Sequence, residues 1–339
     1  MINLLSDTVT KPTPGMLRAM MAAEVGDDVF REDPTVNALE VKCAGLFGHE
    51  AGLFCPSGTM TNQIALKVHT RPLDEVICDE MSHIFQYEVG GYAFNSGIGV
   101  NLIRTPYGIL SADLVEAAVR PPYDWLPRST LVVIENTCNK GGGGAYSLET
   151  IREIHAVCLK KGLALHLDGA RIFNALVAKG GKPADIGAEV DSISICLSKG
   201  LGAPVGSVLV GSRAFIAEAR RVRKAMGGGM RQAGYLAAAG IYALDNHVER
   251  LLEDHTQARR LADTLAELSW VENIRPVETN IVIFDLKPPT TPAVFLDYLT
   301  KHGVKASAFG PQTIRMVTHL DVSSDMIGQA IAVLRAYSA

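Results

Sequence analysis

The chain has 339 residues, beyond the ~250–300 at which a single hydrophobic core stops growing, so a large unit with a smaller one beside it is expected. Hydrophobic residues make up 47% and charged residues 20%, with 32 Gly and 16 Pro dispersed along the sequence, which excludes a disordered or fibrous chain. Against 32 Lys and Arg stand 36 Asp and Glu, a formal net charge of −4 with no long basic block, and no apolar run approaches the ~20 residues that span a bilayer; nucleic-acid and membrane partners are excluded and, with no export signal over Met1–Thr13, a cytoplasmic location is expected.

From about residue 51 to 211, short apolar runs alternate with helical patterns. Gly52–Cys55, Glu75–Cys78, Val100–Ile103, Thr130–Ile134, Leu163–Leu167, Ile193–Leu197 and Ser207–Val210 read as strands. Between them, Thr61–His69, Ser147–Lys161 and Arg213–Ala225 carry apolar residues at helical spacing, and Ser147 with Glu149 and Thr150 marks a helix start. The alternation predicts an α/β fold with a mainly parallel sheet covered by helices. From about 232 to 267 the sequence is helix-forming throughout, changing from Ala-rich to charged near Asn246, and reads as a linking helix. Beyond it come a strand at Thr279–Leu286, a helix at Pro292–His302, a strand at Thr313–Thr318 and a helix at Ser323–Tyr337. Residues 1–245 are therefore taken as an N-terminal segment plus a large domain, and 246–339 as a small α/β C-terminal domain. The six cysteines form no CxxC pair, and three lie in strand-like runs, so they read as reduced packing thiols.

Five segments carry chemistry. In LALHLDGARIFNA, 163–175, an apolar strand ends on Asp168 and leads into Arg171. A carboxylate there opens toward the crevice at the carboxyl ends of an α/β sheet, although a strand-end Asp also serves simply to cap a turn. In ISICLSKGLGAPVG, 193–206, Lys199 follows the next strand and has small residues around it; a solvated loop lysine is the bland alternative. Together, Asp168 and Lys199 at one sheet end supply what pyridoxal phosphate requires: an amine to bond its aldehyde and an acidic partner for its pyridine nitrogen. CPSGTMTN, 55–62, is a small-residue turn able to cradle a phosphate at a helix N-terminus, though a generic turn reads the same way, and it has neither a Walker lysine nor GxGxxG spacing. His83, in DEMSHIFQYE, could stack on a flat ring or be an ordinary surface histidine. RKAMGGGMRQ, 223–232, is a flexible loop bearing Arg231.

Taken together these stretches resemble the threonine aldolase family of fold-type I pyridoxal-phosphate enzymes, over essentially the whole chain. The matches are SDTVTKPT at 6–13, GDDVFREDPT at 26–35, SGTMTNQIAL at 57–66, SHIFQYE at 82–88, HLDGARIFNA at 166–175, LSKGLGAPVGS at 197–207 and GGGMRQAG at 227–234. The resemblance implies a lyase of low specificity that cleaves L-threonine, L-allo-threonine and related β-hydroxy-α-amino acids into glycine and an aldehyde. Another fold-type I reaction, β-elimination or transamination, is the alternative. It implies that Lys199 bonds pyridoxal 5'-phosphate, that Asp168 pairs with the pyridine nitrogen, and that His83 stacks on the ring and acts as the base. Gly58 and Thr59 would bind the phosphate, with Arg231 reaching a phosphate from a neighbouring subunit. Ser6, Arg171 and Arg315 would hold the substrate carboxylate, with Glu88 and Lys224 of second rank. No metal ligands are assigned. A homotetramer, with a dimer as its minimal active unit, is implied as well. The sequence departs from the family pattern at Phe30, where tyrosine is common, at Arg31 in place of a glycine, at Cys138 where some members have histidine, and at Trp125 and Leu126, in a loop where some members carry a histidine.

Overall fold

The computed structural model describes residues 1–338, and each of the seven apolar runs between 51 and 211 forms a strand of one sheet. After β1 (Ile2–Asn3) these strands are β2 (Ala51–Cys55), β3 (Asp74–Asp79), β4 (Gly99–Ile103), β5 (Arg128–Glu135), β6 (Ala164–Gly169), β7 (Ser192–Cys196) and β8 (Ser207–Gly211). Across the sheet they lie in the order β2-β8-β7-β6-β5-β3-β4. All neighbouring pairs from β7 to β4 are parallel, whereas β8 runs antiparallel between β2 and β7. Every residue of β3, β7 and β8 is buried, because helices cover both faces. That double cover is why these strands read as continuous apolar runs rather than as alternating ones.

The helices begin where their sequences supply a cap. Ser57 Oγ accepts the Met60 N–H at 3.2 Å and opens the helix Gly58–His69. Ser147 Oγ accepts the Thr150 N–H at 3.0 Å and opens Leu148–Lys161, which stops at Gly162 with φ 68°. The expected single linking helix is instead two, Gly234–Asn246 and Leu251–Ala266. A tertiary contact sits at the break, where His247 Nδ1 lies 2.8 Å from Leu201 O, and the Arg250 guanidinium turns forward along the second helix to Asp254 at 2.7 Å.

The second unit holds β9 (Val271–Ile274), β10 (Ile281–Leu286), β11 (Val304–Lys305), β12 (Ser307–Ala308) and β13 (Thr313–Val317). Four of these form an antiparallel sheet in the order β12-β13-β10-β9, and β11 pairs in parallel with β1. Of these five, only β10 and β13 were legible as strands; β11 and β12 are two residues each, too short to show a period. Two cores result. One lies on the large sheet; the other gathers Phe284, Phe295 and Leu261 together with Ile2 and Leu4 from the start of the chain. All six cysteines are free and buried. Among the described residues no helix is long and apolar enough to cross a membrane.

Candidate active site

Strands β2, β3, β5, β6 and β7 share one direction, so the segments that follow them emerge at one edge of the sheet. That edge bears Ser57 after β2, His83 after β3, Glu135 ending β5, Asp168 near the end of β6 and Lys199 after β7. A chamber of about 250 Å³ opens there, lined by Ser57, Gly58, Thr59, Asn62, His83, Asp168 and Lys199 among others. In its lining the N–H groups of Gly58 and Thr59, the first turn of the helix, have no acceptor among the described residues. Free N–H groups with the helix dipole behind them can hold an anion. The buried Asp168 carboxylate, also in the lining, accepts the Asn62 Nδ2–H at 2.7 Å and the Ala170 N–H at 3.1 Å. Lys199 Nζ makes no hydrogen bond or ion pair with the described residues, so no neighbour holds it away from a ligand in the chamber. Glycine is required in the turn that returns from Lys199 to β8: Gly206 has φ 116°, and a Cβ there would lie 2.4 Å from the Phe54 ring.

His83 belongs to both this chamber and a smaller one of about 100 Å³, lined also by Ser6, Thr8, Glu135, Asn139, Arg171, Lys199 and Arg315. The His83 backbone N–H donates to Glu135 Oε2 at 2.9 Å, and ring Nδ1 lies 2.9 Å from Glu88 Oε1. Burial pulls the imidazole's pKa down, but the Glu88 hydrogen bond and the nearby carboxylates of Asp168, Glu88 and Glu135 outweigh it, and the net shift is upward. Burial, followed by the charge of Asp168, pushes Glu135 up to about 7.

The two arginines of the smaller chamber differ. Arg171 is committed: its Nε and Nη2 donate to Asp7 at 2.6 and 2.7 Å, and Asn280 donates to the same carboxylate at 3.1 Å. Burial alone would raise the Asp7 pKa, yet Arg171 foremost, with Lys199 and Asn280, brings it down to about 2. Arg315, on β13, donates from Nη1 to Asn139 at 2.9 Å and from Nη2 to Leu5 O at 3.1 Å, and its guanidinium sits 4.6 Å from the centre of the Phe309 ring. Its Nε is buried without a partner, and burial together with the charge of Arg171 lowers its pKa. Ser6 Oγ, on the chamber wall, accepts from the Thr8 N–H at 3.2 Å.

Ser6, Gly58, Thr59, His83, Asp168, Arg171, Lys199 and Arg315 are therefore brought together around two connected chambers. Glu88 stands behind His83. Arg231 and Lys224 line neither chamber; Arg231, with 57% of its side chain exposed, pairs with Asp27 at 2.7 Å. Trp125 and Leu126 line a separate groove of about 1280 Å³ with Leu73, Gly97 and Lys161. Phe30 is 68% exposed, and Arg31 takes φ 63°, a left-handed conformation that suits the glycine common at that position. Sequence reasoning missed Asp7, Asn62, Glu135 and Asn139. Asp7 and Asn62 lie in quoted motifs, and Glu135 and Asn139 follow the strand run Thr130–Ile134, but nothing in the local pattern says how deeply they are buried or what they face.

The chain matches the family model described as beta-eliminating lyase over residues 3–288. It is 44% identical to the low specificity L-threonine aldolase of Escherichia coli K12 over 340 residues, covering 100% of both chains. It is also 44% identical to a probable low-specificity L-threonine aldolase of Arabidopsis thaliana, over 95% of this chain and 93% of that protein. Among solved structures, a threonine aldolase from Leishmania major superposes with a TM-score of 0.87 at 23% identity, covering 99% of each chain. A putative L-allo-threonine aldolase from Listeria monocytogenes gives 0.82 at 22% identity over 98% of this chain and 95% of that one. These last two likenesses speak to the fold.

Proposed function

The chain belongs to the beta-eliminating lyase family and, within it, to the low-specificity L-threonine aldolases; on that premise we propose how its two chambers divide the pyridoxal-phosphate-dependent cleavage of L-threonine, L-allo-threonine and related β-hydroxy-α-amino acids into glycine and an aldehyde. The observation that carries the reading is that free helix N–H groups, a buried carboxylate and an unpaired lysine line one chamber. That donor set fits the cofactor: Gly58 and Thr59 would hold its phosphate, Asp168 would face its pyridine nitrogen, and Lys199 would supply the amine for its aldehyde. When bound, it supplies the electron sink that makes cleavage of the Cα–Cβ bond accessible.

The chain's own groups do the rest. Arg315 and Ser6 grip the substrate carboxylate, and Arg171, its fork occupied by Asp7, contributes charge and its remaining N–H groups. The same grip sets the Cβ hydroxyl against His83, whose Nδ1 is tied to Glu88. His83 takes the hydroxyl proton as the Cα–Cβ bond breaks, the aldehyde departs, and protonation at Cα completes glycine. Arg231 is assigned to the phosphate site of a neighbouring copy, because it lies outside both chambers of its own chain. A homo-oligomer, tetrameric with a dimer as its minimal active unit, is the matching assembly. Val89 and Phe94, 99% and 90% exposed beside the segment that carries Glu88, are apolar surface for it to cover. Its location is proposed to be cytoplasmic, in keeping with six unpaired cysteines.

The test is a product assay with the visible spectrum of the purified protein, unaltered and Lys199→Ala. Equimolar glycine and acetaldehyde from L-threonine, lost in the variant together with the lysine-bound cofactor band, supports this reading. Ammonia and a keto acid in their place would move the chain to an elimination reaction, and a keto acid without free ammonia to a transamination.

A further inference from the structure

From the wall of the larger chamber a chain of polar groups runs inward through Asn62, His166 and Ser192 to His69, none of which the proposed mechanism uses. Asn62 Nδ2 lies 2.7 Å from Asp168 Oδ2 and 2.9 Å from Glu88 Oε1. Both neighbours are carboxylates, which only accept, so the atom between them is the amide's donor end. Its other end, Oδ1, faces His166 Nε2 at 3.3 Å. His166 is fully buried, and burial, with the nearby His69, pushes its pKa down to about 3, so it is neutral and carries its single proton on Nε2 toward Asn62. Its bare Nδ1 then accepts from Ser192 Oγ at 2.8 Å, and Ser192 Oγ in turn accepts from His69 Nε2 at 2.8 Å. The donor sense thus runs one way, from His69 to the two carboxylates. Glu88 is finished on its other side by the Gln63 Nε2–H at 2.6 Å, and its Oε1 faces His83 Nδ1 at 2.9 Å.

Resting on the aldolase reading above, we propose that Asn62 and Glu88 are a positioning unit: one side-chain amide, its orientation fixed by His166, holds the carboxylates of Asp168 and Glu88, and through Glu88 it keeps His83 protonated on Nδ1 with Nε2 bare for the substrate hydroxyl. The unit makes one amide serve both ends of the reaction, the partner of the cofactor nitrogen and the holder of the base. Glu88 touches neither chamber, so it acts only through the imidazole. A hydrogen-bonded carboxylate fixes an imidazole's tautomer and raises its basicity. The charged groups facing His83 are Glu88 from its own segment, Asp168 and Glu135 from the sheet edge, and Lys199, Arg171 and Arg315 across the smaller chamber, with Tyr87 at 5.5 Å between ring centres. Of these only Glu88 bonds the ring.

The experiment compares the cofactor-loaded enzyme with its Glu88→Gln, Glu88→Asp and Asn62→Ala variants. ¹⁵N-histidine NMR without substrate reads the tautomer and titration midpoint of His83, identified by its loss in His83→Asn, and kcat and KM for L-threonine are followed against pH on the same samples. In Glu88→Gln the midpoint moves to lower pH, the acid limb of kcat moves with it, and kcat falls about 10- to 100-fold, part of the ~10²–10⁴-fold that a general base contributes, while KM and cofactor absorbance hold. Glu88→Asp recovers part of both shifts. Asn62→Ala moves His83 less and additionally alters the pH dependence of the cofactor band, because Asp168 loses its donor. An unchanged His83 midpoint and acid limb in Glu88→Gln would overturn the proposal, as would a loss of activity matched by equal loss of cofactor and melting temperature. Should Glu88→Gln not fold, the same readouts in Glu88→Asp and Asn62→Ala decide. An unaltered enzyme that forms no glycine sinks the aldolase reading, whereas the NMR titration still decides the tie between Glu88 and His83.

Discussion

The larger and smaller chambers share His83 and Lys199, yet they are built differently. The larger is made by one sheet: Ser57, Asp168 and Lys199 follow or end strands of the same direction, and each sits in a compact motif. The smaller is made where three parts of the chain meet, with Ser6 and Asp7 from the beginning, Arg171 from the sheet and Arg315 from the second unit. Groups that depend on one rigid sheet can be read from a local pattern, whereas groups that meet across units depend on how those units dock.

Perturbing each chamber should separate them. The largest of these effects is expected at His83, which both chambers share: His83→Asn should lower kcat by about 10²–10⁴-fold with cofactor affinity nearly intact, as checked by steady-state kinetics beside a cofactor titration. Next is Asp7→Ala, which strands the buried Arg171 charge and should cost about 3–5 kcal/mol of stability, read by denaturant unfolding. The sign of the pH dependence follows from the same pair. Asp7 is depressed from 3.8 to about 2 in the folded protein, so its stabilisation is present above 3.8 and is lost as pH falls through about 2. Asp7→Asn should therefore flatten the acid limb of a plot of stability against pH, and an unchanged limb would place the acid sensitivity elsewhere.

Arg315→Ala should come third, lowering kcat/KM by about 100-fold, mostly through KM; Arg315→Lys should recover only part, because an ammonium cannot reproduce the planar fork. An equal loss in kcat at unchanged KM would mean that the arginine acts on the transition state rather than on the carboxylate. The smallest effect is expected from Arg231→Ala: cofactor affinity weaker by about tenfold, the scale of one charge-assisted hydrogen bond, at constant melting temperature. If affinity does not change, Arg231 serves only Asp27, and the phosphate is held by its own chain alone.

The sequence by itself determined most of the larger chamber. Continuous apolar runs at regular spacing can be satisfied only by a sheet covered on both faces, and that sheet brings Asp168, Lys199, His83 and the helix start at Ser57 to one edge. The tertiary structure alone decided the rest. The antiparallel course of β8, the break between Asn246 and Leu251, and the seating of Ile2 and Leu4 in the second core come from contacts between residues distant in sequence. The commitment of Arg171 to Asp7, the freedom of Arg315 Nε and the orientation of Asn62 between two carboxylates arise the same way. Residue type sets what a side chain can donate or accept, but burial and the neighbour it meets set what it does, and neither is a local property of the chain.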